Sequence, residues 1–334
     1  MNPITICPST LAEGYDSYSP IAIKHLFDGR QVSPFLDYTP IDDDNNSAAQ
    51  EEFLHNQERI SLSGVQPKYS MIVRNGKLAL TQKGEQGHYI LKPKLSDFRN
   101  RIYSSANENL TMQIASQVFG IETAANGLCF FKGGEPAYIT KRFDVKPDGT
   151  KRRKEDFASL AGLTTQNGGK NYKYEYLTYE ECGELIRRYL PAWKVETLKF
   201  FDLIIFNFLI CDAHLKNFSV LETESGDFRL SPAYDLINTK LHVDDRIFAL
   251  DKGLLKDNAA ESMPYGMTNS TTFREFGKRL GLPDKTIRRE LDKFCTSYPL
   301  LDTLIANSYL SDELKENYRN MYLGRRDSYL KIGL

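Results

Sequence analysis

The sequence predicts a two-lobed α+β fold, with a β-rich N-terminal lobe over residues 1–144 and a mainly helical C-terminal lobe over residues 145–334. Three observations lead to it. From Ile60 to Lys92 apolar and polar residues alternate in short runs broken by Gly64, Pro67 and Asn75-Gly76, the pattern of hairpin-linked strands. After Pro147-Asp148-Gly149 that alternation gives way to segments with helix start and stop signals. The apolar stretch from Phe200 to Ile210, broken by Asp202 and Asn207, is too short to span a bilayer and reads as a helix buried on most sides.

Composition sets the outer bounds. The chain has 334 residues, enough for two lobes, and its 41% hydrophobic and 26% charged residues are ordinary for a soluble globular protein. A net charge of −1 supplies no global pull toward nucleic acid or membrane, so any such contact must be local. Cys7, Cys129, Cys182, Cys211 and Cys295 are scattered without a C-x-x-C pair, which argues against a zinc site or a disulfide framework. The start lacks the charged and apolar regions of a signal peptide, and the expectation is a soluble, cytoplasmic protein.

Taken in order, Ile21 to Phe27 reads as a short helix, and the acidic polar stretch from Asp42 to Ser47 as a loop or linker. Asn75-Gly76 is a strong hairpin signal, and Tyr89-Ile90-Leu91-Lys92 is a strand closed by Pro93. Ser105 with Glu108 has the spacing of a capping box opening a helix that Gly120 stops, with Leu110, Ile114 and Val118 on one face. Two short strands follow around Lys132-Gly133-Gly134-Glu135. Thr178 with Glu181 forms a second capping box for a helix through Leu190, ended by Pro191. Further helices are expected at 271–280, 284–295 and 311–331. Residues Phe273 to Ile287 have a helix-turn-helix rhythm, but with no surrounding basic excess they read as a tight helical hairpin in the core. Lys151-Arg152-Arg153-Lys154 reads as a solvated hairpin tip, the alternative being a patch for an acidic or RNA-bound partner.

The chemistry gathers after the buried helix, in Cys211-Asp212-Ala213-His214-Leu215-Lys216-Asn217. A carboxylate, an amide five residues later, a hairpin and then Asp235 match the layout of a kinase catalytic loop. There one Asp takes the hydroxyl proton, the Asn holds one magnesium and the later Asp holds magnesium against the phosphates. A polar turn with Asp212 as cap and Asn217 in the turn would use the same residues. Upstream, Lys92 precedes Glu108 by sixteen residues, the strand-lysine and helix-glutamate order that fixes phosphate oxygens in a kinase. Separately they read as a surface lysine and a capping glutamate. Ser61 to Lys68 offers hydroxyls, a glycine and a lysine in a strand-turn-strand able to surround a phosphate, or an ordinary turn. His214 reads equally as a nucleotide contact or a packed ring, and Lys216 as a stabiliser of developing charge or a solvated loop lysine.

With these pieces in order the sequence resembles HipA-family serine/threonine kinases, the toxin half of bacterial toxin–antitoxin modules. The resemblance is carried by Ser61-Leu62-Ser63-Gly64-Val65-Gln66-Pro67-Lys68, Tyr89-Ile90-Leu91-Lys92, Asn107-Glu108, Arg142-Phe143-Asp144, Glu155-Asp156-Phe157, Asp212 to Asn217 and Tyr234-Asp235, over roughly residues 58 to 240. It implies ATP and magnesium as cofactors, Asp212 as general base, and Asn217 and Asp235 as magnesium ligands. It further implies Ser63, Gly64, Val65, Gln66, Pro67 and Lys68 as the nucleotide loop, with Lys92, fixed by Glu108, on the phosphates. Lys141, Arg142 and Phe143 would form the hinge beside adenine, and His214, Lys216 and Tyr234 would line the nucleotide site.

Members of that family phosphorylate aminoacyl-tRNA synthetases and stop translation, and are often controlled by a DNA-binding antitoxin and by phosphorylation of a loop serine. Because the loop begins at residue 61, the chain resembles the short form, HipT, which lacks the extra N-terminal subdomain of full-length HipA. There a small HipS-like protein resembling the missing piece acts as antitoxin, beside a HipB-like DNA-binding partner. The paired Ser61 and Ser63 fit that form's doubled-serine loop as phosphorylation sites. No direct contact of this chain with DNA or membrane is implied. Two rivals stay open on the residues: a non-catalytic antitoxin-binding or co-repressor module, and a small-molecule kinase sharing the D-x-x-x-x-N chemistry.

Overall fold

The computed structural model describes residues 4–40, 67–95, 98–210, 213–244, 246–257 and 268–333. Ser61, Ser63, Gly64, Val65, Gln66 and Asp212 lie outside the described residues.

A five-stranded antiparallel sheet organises the first part of the chain. After helix α1 (Pro20–Phe27), capped by the Ser19 hydroxyl, come β1 (Tyr69–Arg74), β2 (Lys77–Leu80), β3 (Tyr89–Lys92), β4 (Asn126–Phe130) and β5 (Pro136–Lys141). Their spatial order is β2-β1-β3-β5-β4. The hairpin signal holds: Asn75 and Gly76 join β1 to β2 with φ of 50° and 72°, the paired left-handed conformation of a two-residue hairpin turn. Neighbouring residues of a strand face opposite sides, so the sheet buries two layers. On β5, Ile139 packs with Leu26, Phe27, Met71 and Leu91 on the side of α1. Tyr138, one residue earlier, packs on the other side with Leu110 and Ile114 of α2 (Ser104–Gln117).

Helix α2 carries an unusual load. It is buried along residues 104–115, including Asn107, Glu108, Asn109, Thr111 and Gln113, because it lies in the same core as the helices that follow. Buried amides need partners, and two find them in Asn126, whose Oδ1 accepts from Asn109 and Gln113 at 3.1 Å each. The helix was expected to begin with Ser105 capped against Glu108. It begins instead at Ser104 with no side-chain cap, because the Glu108 carboxylate turns to Lys92.

The rest is mainly helical. β6 (Lys154–Asp156), β7 (Ser219–Glu222) and β8 (Phe228–Leu230) make a small antiparallel sheet, and single helical turns cover Phe157–Leu160, Thr165–Gly168 and Tyr172–Glu175. α3 (Tyr179–Tyr189) opens with the expected Thr178/Glu181 capping box, and α4 (Trp193–Leu209) is the buried helix read from its apolar run. The helical hairpin is α5 (Ser270–Arg279) and α6 (Asp284–Cys295), whose Phe273, Phe276, Ile287 and Leu291 face the core. α7 (Pro299–Asn307) was not anticipated. The helix expected over 311–331 is α8 (Asp312–Arg325), continued by a wider π turn, Arg326–Leu330. In the basic run, Arg153 pairs with Glu222 at 2.8 Å and Arg152 with Glu224, both on the exposed sheet edge. Among the described residues no helix is long and apolar enough to cross a membrane.

Candidate active site

At the end of β3, alternation turns Lys92 to the α2 side of the sheet, beside its cross-strand partner Tyr138, whose ring lies 5.2 Å from the ammonium. Lys92 is buried, and its ammonium donates to Glu108 Oε1 at 2.6 Å and to Asp235 Oδ1. Burial opposes the charge of Lys92, but the Asp235 and Glu108 carboxylates outweigh it and push its pKa up. Burial opposes the charge of Asp235 as well, yet Lys68 and Lys92 hold its carboxyl far below the usual carboxylate range. Glu108, deepest of the three, is pushed up by burial against the pull of Lys92. Lys68 reaches Asp235 Oδ2 at 3.4 Å, so the β1 entry meets the same carboxylate.

Asp235 has a left-handed backbone, φ 56°. That conformation costs a side-chain residue on the order of 1 kcal/mol and persists only where its surroundings fix it. Just before it, Ala233 N–H donates to Glu122 O at 2.8 Å and Ala124 N–H to Ala233 O at 2.9 Å.

The loop after α4 is held by two tyrosines. Tyr179 donates its hydroxyl to Ala213 O at 2.7 Å, and Tyr234 donates to Lys216 O at 2.8 Å while meeting Ser219 Oγ at 2.5 Å. Within the loop Asn217 Oδ1 accepts from His214 N–H at 3.1 Å. Tyr174 packs edge-on against the His214 ring, centroids 5.0 Å apart. Burial, with Lys173 nearby, pushes His214 down to about 4, so the ring is neutral at ordinary pH.

Lys68, Lys92, Glu108, His214, Asn217 and Asp235 line one cavity of about 270 Å³. Six of the sequence-predicted residues thus meet from five separate stretches of chain. Pro67 stands beside Lys68 at the entry to β1. The others point elsewhere. Lys141 pairs with Asp28, Arg142 with Asp144 at 2.9 Å, and Lys216 with Asp156 at 2.7 Å. Phe143 packs on Tyr234 with ring centroids 5.6 Å apart. Sequence reasoning missed the remainder of the cavity wall, including Leu95, Phe98, Tyr174, Thr239 and His242. Away from that wall, Asp156, the partner of Lys216, lies in the Glu155-Asp156-Phe157 stretch that the sequence had singled out.

A family model for the HipA-like C-terminal domain matches residues 60–299. A Haemophilus influenzae protein named a putative kinase is 24% identical over 307 residues, covering 86% of this chain and 85% of that protein. The putative kinase Y4mE of Sinorhizobium fredii is 32% identical over 198 residues, covering 56% of this chain and 44% of that one. Among solved structures, HipA of Shewanella oneidensis MR-1, determined with HipB and its operator DNA, superposes with a TM-score of 0.62 at 22% identity, covering 81% of this chain and 65% of that one. At that identity the likeness is one of fold. The family match, in contrast, runs through Lys92, Glu108, Asn217 and Asp235, and with most of the sequence inside it the chain belongs to the HipA-like C-terminal domain family.

Proposed function

We propose that this chain is an ATP-dependent serine/threonine protein kinase acting as the toxin of a bacterial toxin–antitoxin module. The observation that carries the reading is Lys92 held between Glu108 and Asp235, an ammonium kept charged in a buried place by one carboxylate from α2 and one from the segment after β8. The names of the relatives and the solved complex support it. In this reading the molecule has two lobes, meeting near Lys141, Arg142 and Phe143 beside adenine.

The chemistry is positioning plus charge stabilisation. Lys92 and Lys68 present cations to phosphate oxygens. Asn217 and Asp235 supply the hard oxygen donors that suit magnesium, and both line the cavity, so they would hold the ion. Bound magnesium neutralises charge growing on the transferring and leaving phosphates. The acceptor hydroxyl oxygen bonds to the γ-phosphorus as the bond to the β–γ bridging oxygen breaks, and ADP leaves. Asp212 takes the hydroxyl proton on a carboxylate oxygen. His214, neutral, lines the site without adding charge.

An aminoacyl-tRNA synthetase as target, arrest of translation, control by HipS-like and HipB-like antitoxins, and self-phosphorylation at Ser61 or Ser63 complete the proposal. The test is incubation of purified chain with γ-labelled ATP, magnesium and cell lysate. A protein kinase labels one or a few discrete protein bands, and Asp212→Gln labels none. Label appearing only in small molecules, or no label with nucleotide still bound, overturns the reading in favour of its rivals.

A further inference from the structure

Next to Glu108 on α2 sits Asn107, fully buried, with a hydrogen-bond network that reaches past Asp235. Its Nδ2 donates to Asn238 O at 2.9 Å and lies 2.9 Å from His242 Nε2. Its Oδ1 accepts from Asn238 N–H and from the Thr111 hydroxyl, both at 3.2 Å. On the far side of the ring, His242 Nδ1 lies 2.9 Å from Arg99 O.

Elimination fixes every role. A backbone carbonyl only accepts, so His242 Nδ1 carries the hydrogen. The Asn107 oxygen faces two donors, so its Nδ2 faces Nε2, which must be the bare nitrogen. A neutral imidazole satisfies every partner, whereas an imidazolium would set N–H against N–H. Burial pushes the His242 pKa down, in the same direction. Lys240 and Asp244 lie two residues either side of His242 on the chain, Asp244 is turned to Arg99, whose carbonyl meets the ring, and Lys68, Lys92, Glu108 and Asp235 share its cavity.

We propose that Asn107 and His242 are positioning residues for phosphoryl transfer. They latch residues 236–243 to the helix that carries Glu108, so that Lys92 meets Glu108 and Asp235 together. This rests on the kinase reading above. The strained backbone of Asp235 is then bracketed, by the Ala233 hydrogen bonds on one side and by Asn107 to Asn238 on the other. Neither latch residue contacts the reacting atoms in this scheme; each acts through Asp235. A displacement of about 1 Å at such a group costs on the order of 100-fold in rate.

The test uses the full chain with His242→Gln, which keeps one acceptor and one donor, His242→Leu, which keeps neither, and Asn107→Asp, which reverses the polarity toward Nε2. His242→Leu should lose roughly 10- to 100-fold in kcat with a smaller change in KM for ATP, and His242→Gln should recover most of it. The activity of Asn107→Asp relative to wild type should rise as pH falls from about 8 to about 6, because a protonated His242 can donate to the new carboxylate. Hydrogen exchange of the peptide spanning 236–243 should quicken in His242→Leu while β3 and β5 stay protected. Folded His242→Leu with kcat within about threefold of wild type, or a pH-flat Asn107→Asp ratio, overturns the positioning role. Should His242→Leu not fold, His242→Gln and Asn107→Asp decide it alone. If the wild type transfers no phosphate, the kinase reading fails and the catalytic role with it, and exchange at 236–243 still decides whether the latch exists.

Discussion

Lys92 and Asp235 are 143 residues apart in sequence and share a hydrogen bond in the floor of the cavity. With Glu108 on its other side, Lys92 is a buried cation satisfied by two carboxylates. Removing the ammonium from such a cluster leaves the buried Glu108 carboxylate without its counter-ion. Lys92→Met should therefore abolish phosphate transfer and cost about 3 kcal/mol of stability, read as a lower urea midpoint with unchanged slope. A variant as stable as wild type would mean that Glu108 and Asp235 need no counter-ion.

A part-buried carboxylate outside the cavity predicts a pH effect of opposite sense to the common one. Asp202 on α4 is pushed up to about 6 by burial, although Lys293 lies 2.6 Å from one oxygen. Its other oxygen has no hydrogen-bond partner among the described residues. The folded form holds this proton more tightly than the unfolded form, so the group's contribution falls as pH rises from about 4 through about 6. The stability of Asp202→Asn relative to wild type should then be higher at pH near 7.5 than near pH 4. Denaturation at the two pH values checks it; an equal difference at both would assign the effect to packing.

Gly277 sets helix propensity against space. A Cβ there would lie 2.7 Å from Ile287 Cγ1 and 3.2 Å from Phe201, both buried. Alanine gains about 1 kcal/mol in propensity over glycine, while overpacking a filled core costs about 1–3 kcal/mol. Gly277→Ala should thus be net destabilising, with a lower melting temperature. A higher one would show that the α5–α6 contact is loose.

What the sequence disclosed was local. The Asn75-Gly76 turn, the Thr178/Glu181 box and the apolar α4 are decided within a few residues, and each formed where expected. The Ser105/Glu108 box failed because a buried ammonium on a neighbouring strand is a stronger partner for a carboxylate than an N-terminal amide. α7 escaped notice although it opens on a proline, which marks a first turn as readily as a loop. Lys92, Glu108, Asn217 and Asp235 were legible because their order and spacing follow a chemical layout. Asn107 stands beside Glu108 in a stretch that carries the resemblance, but its pairing with His242, 135 residues away and in no such stretch, was visible only once the fold brought the two together.

Self-modification tests the loop outside the described residues. A phosphoserine at Ser61 or Ser63 would add about −1.5 to −2 charge to the loop that the proposed function sets over the ATP phosphates. Intact mass after incubation with ATP and magnesium should show added phosphate on wild type, and site-by-site loss with Ser61→Ala and Ser63→Ala. Asp replacements should weaken ATP binding. No added phosphate on active protein would leave the two hydroxyls as turn caps.

The most direct measurement is the initial rate of γ-phosphate transfer to protein by wild type and by Asp235→Asn. Asparagine tolerates the left-handed backbone of Asp235 and keeps its shape, so circular dichroism should be unchanged. The account predicts magnesium-dependent transfer by wild type and a loss on the order of 100-fold or more in the variant. Equal rates from the two folded proteins would contradict it.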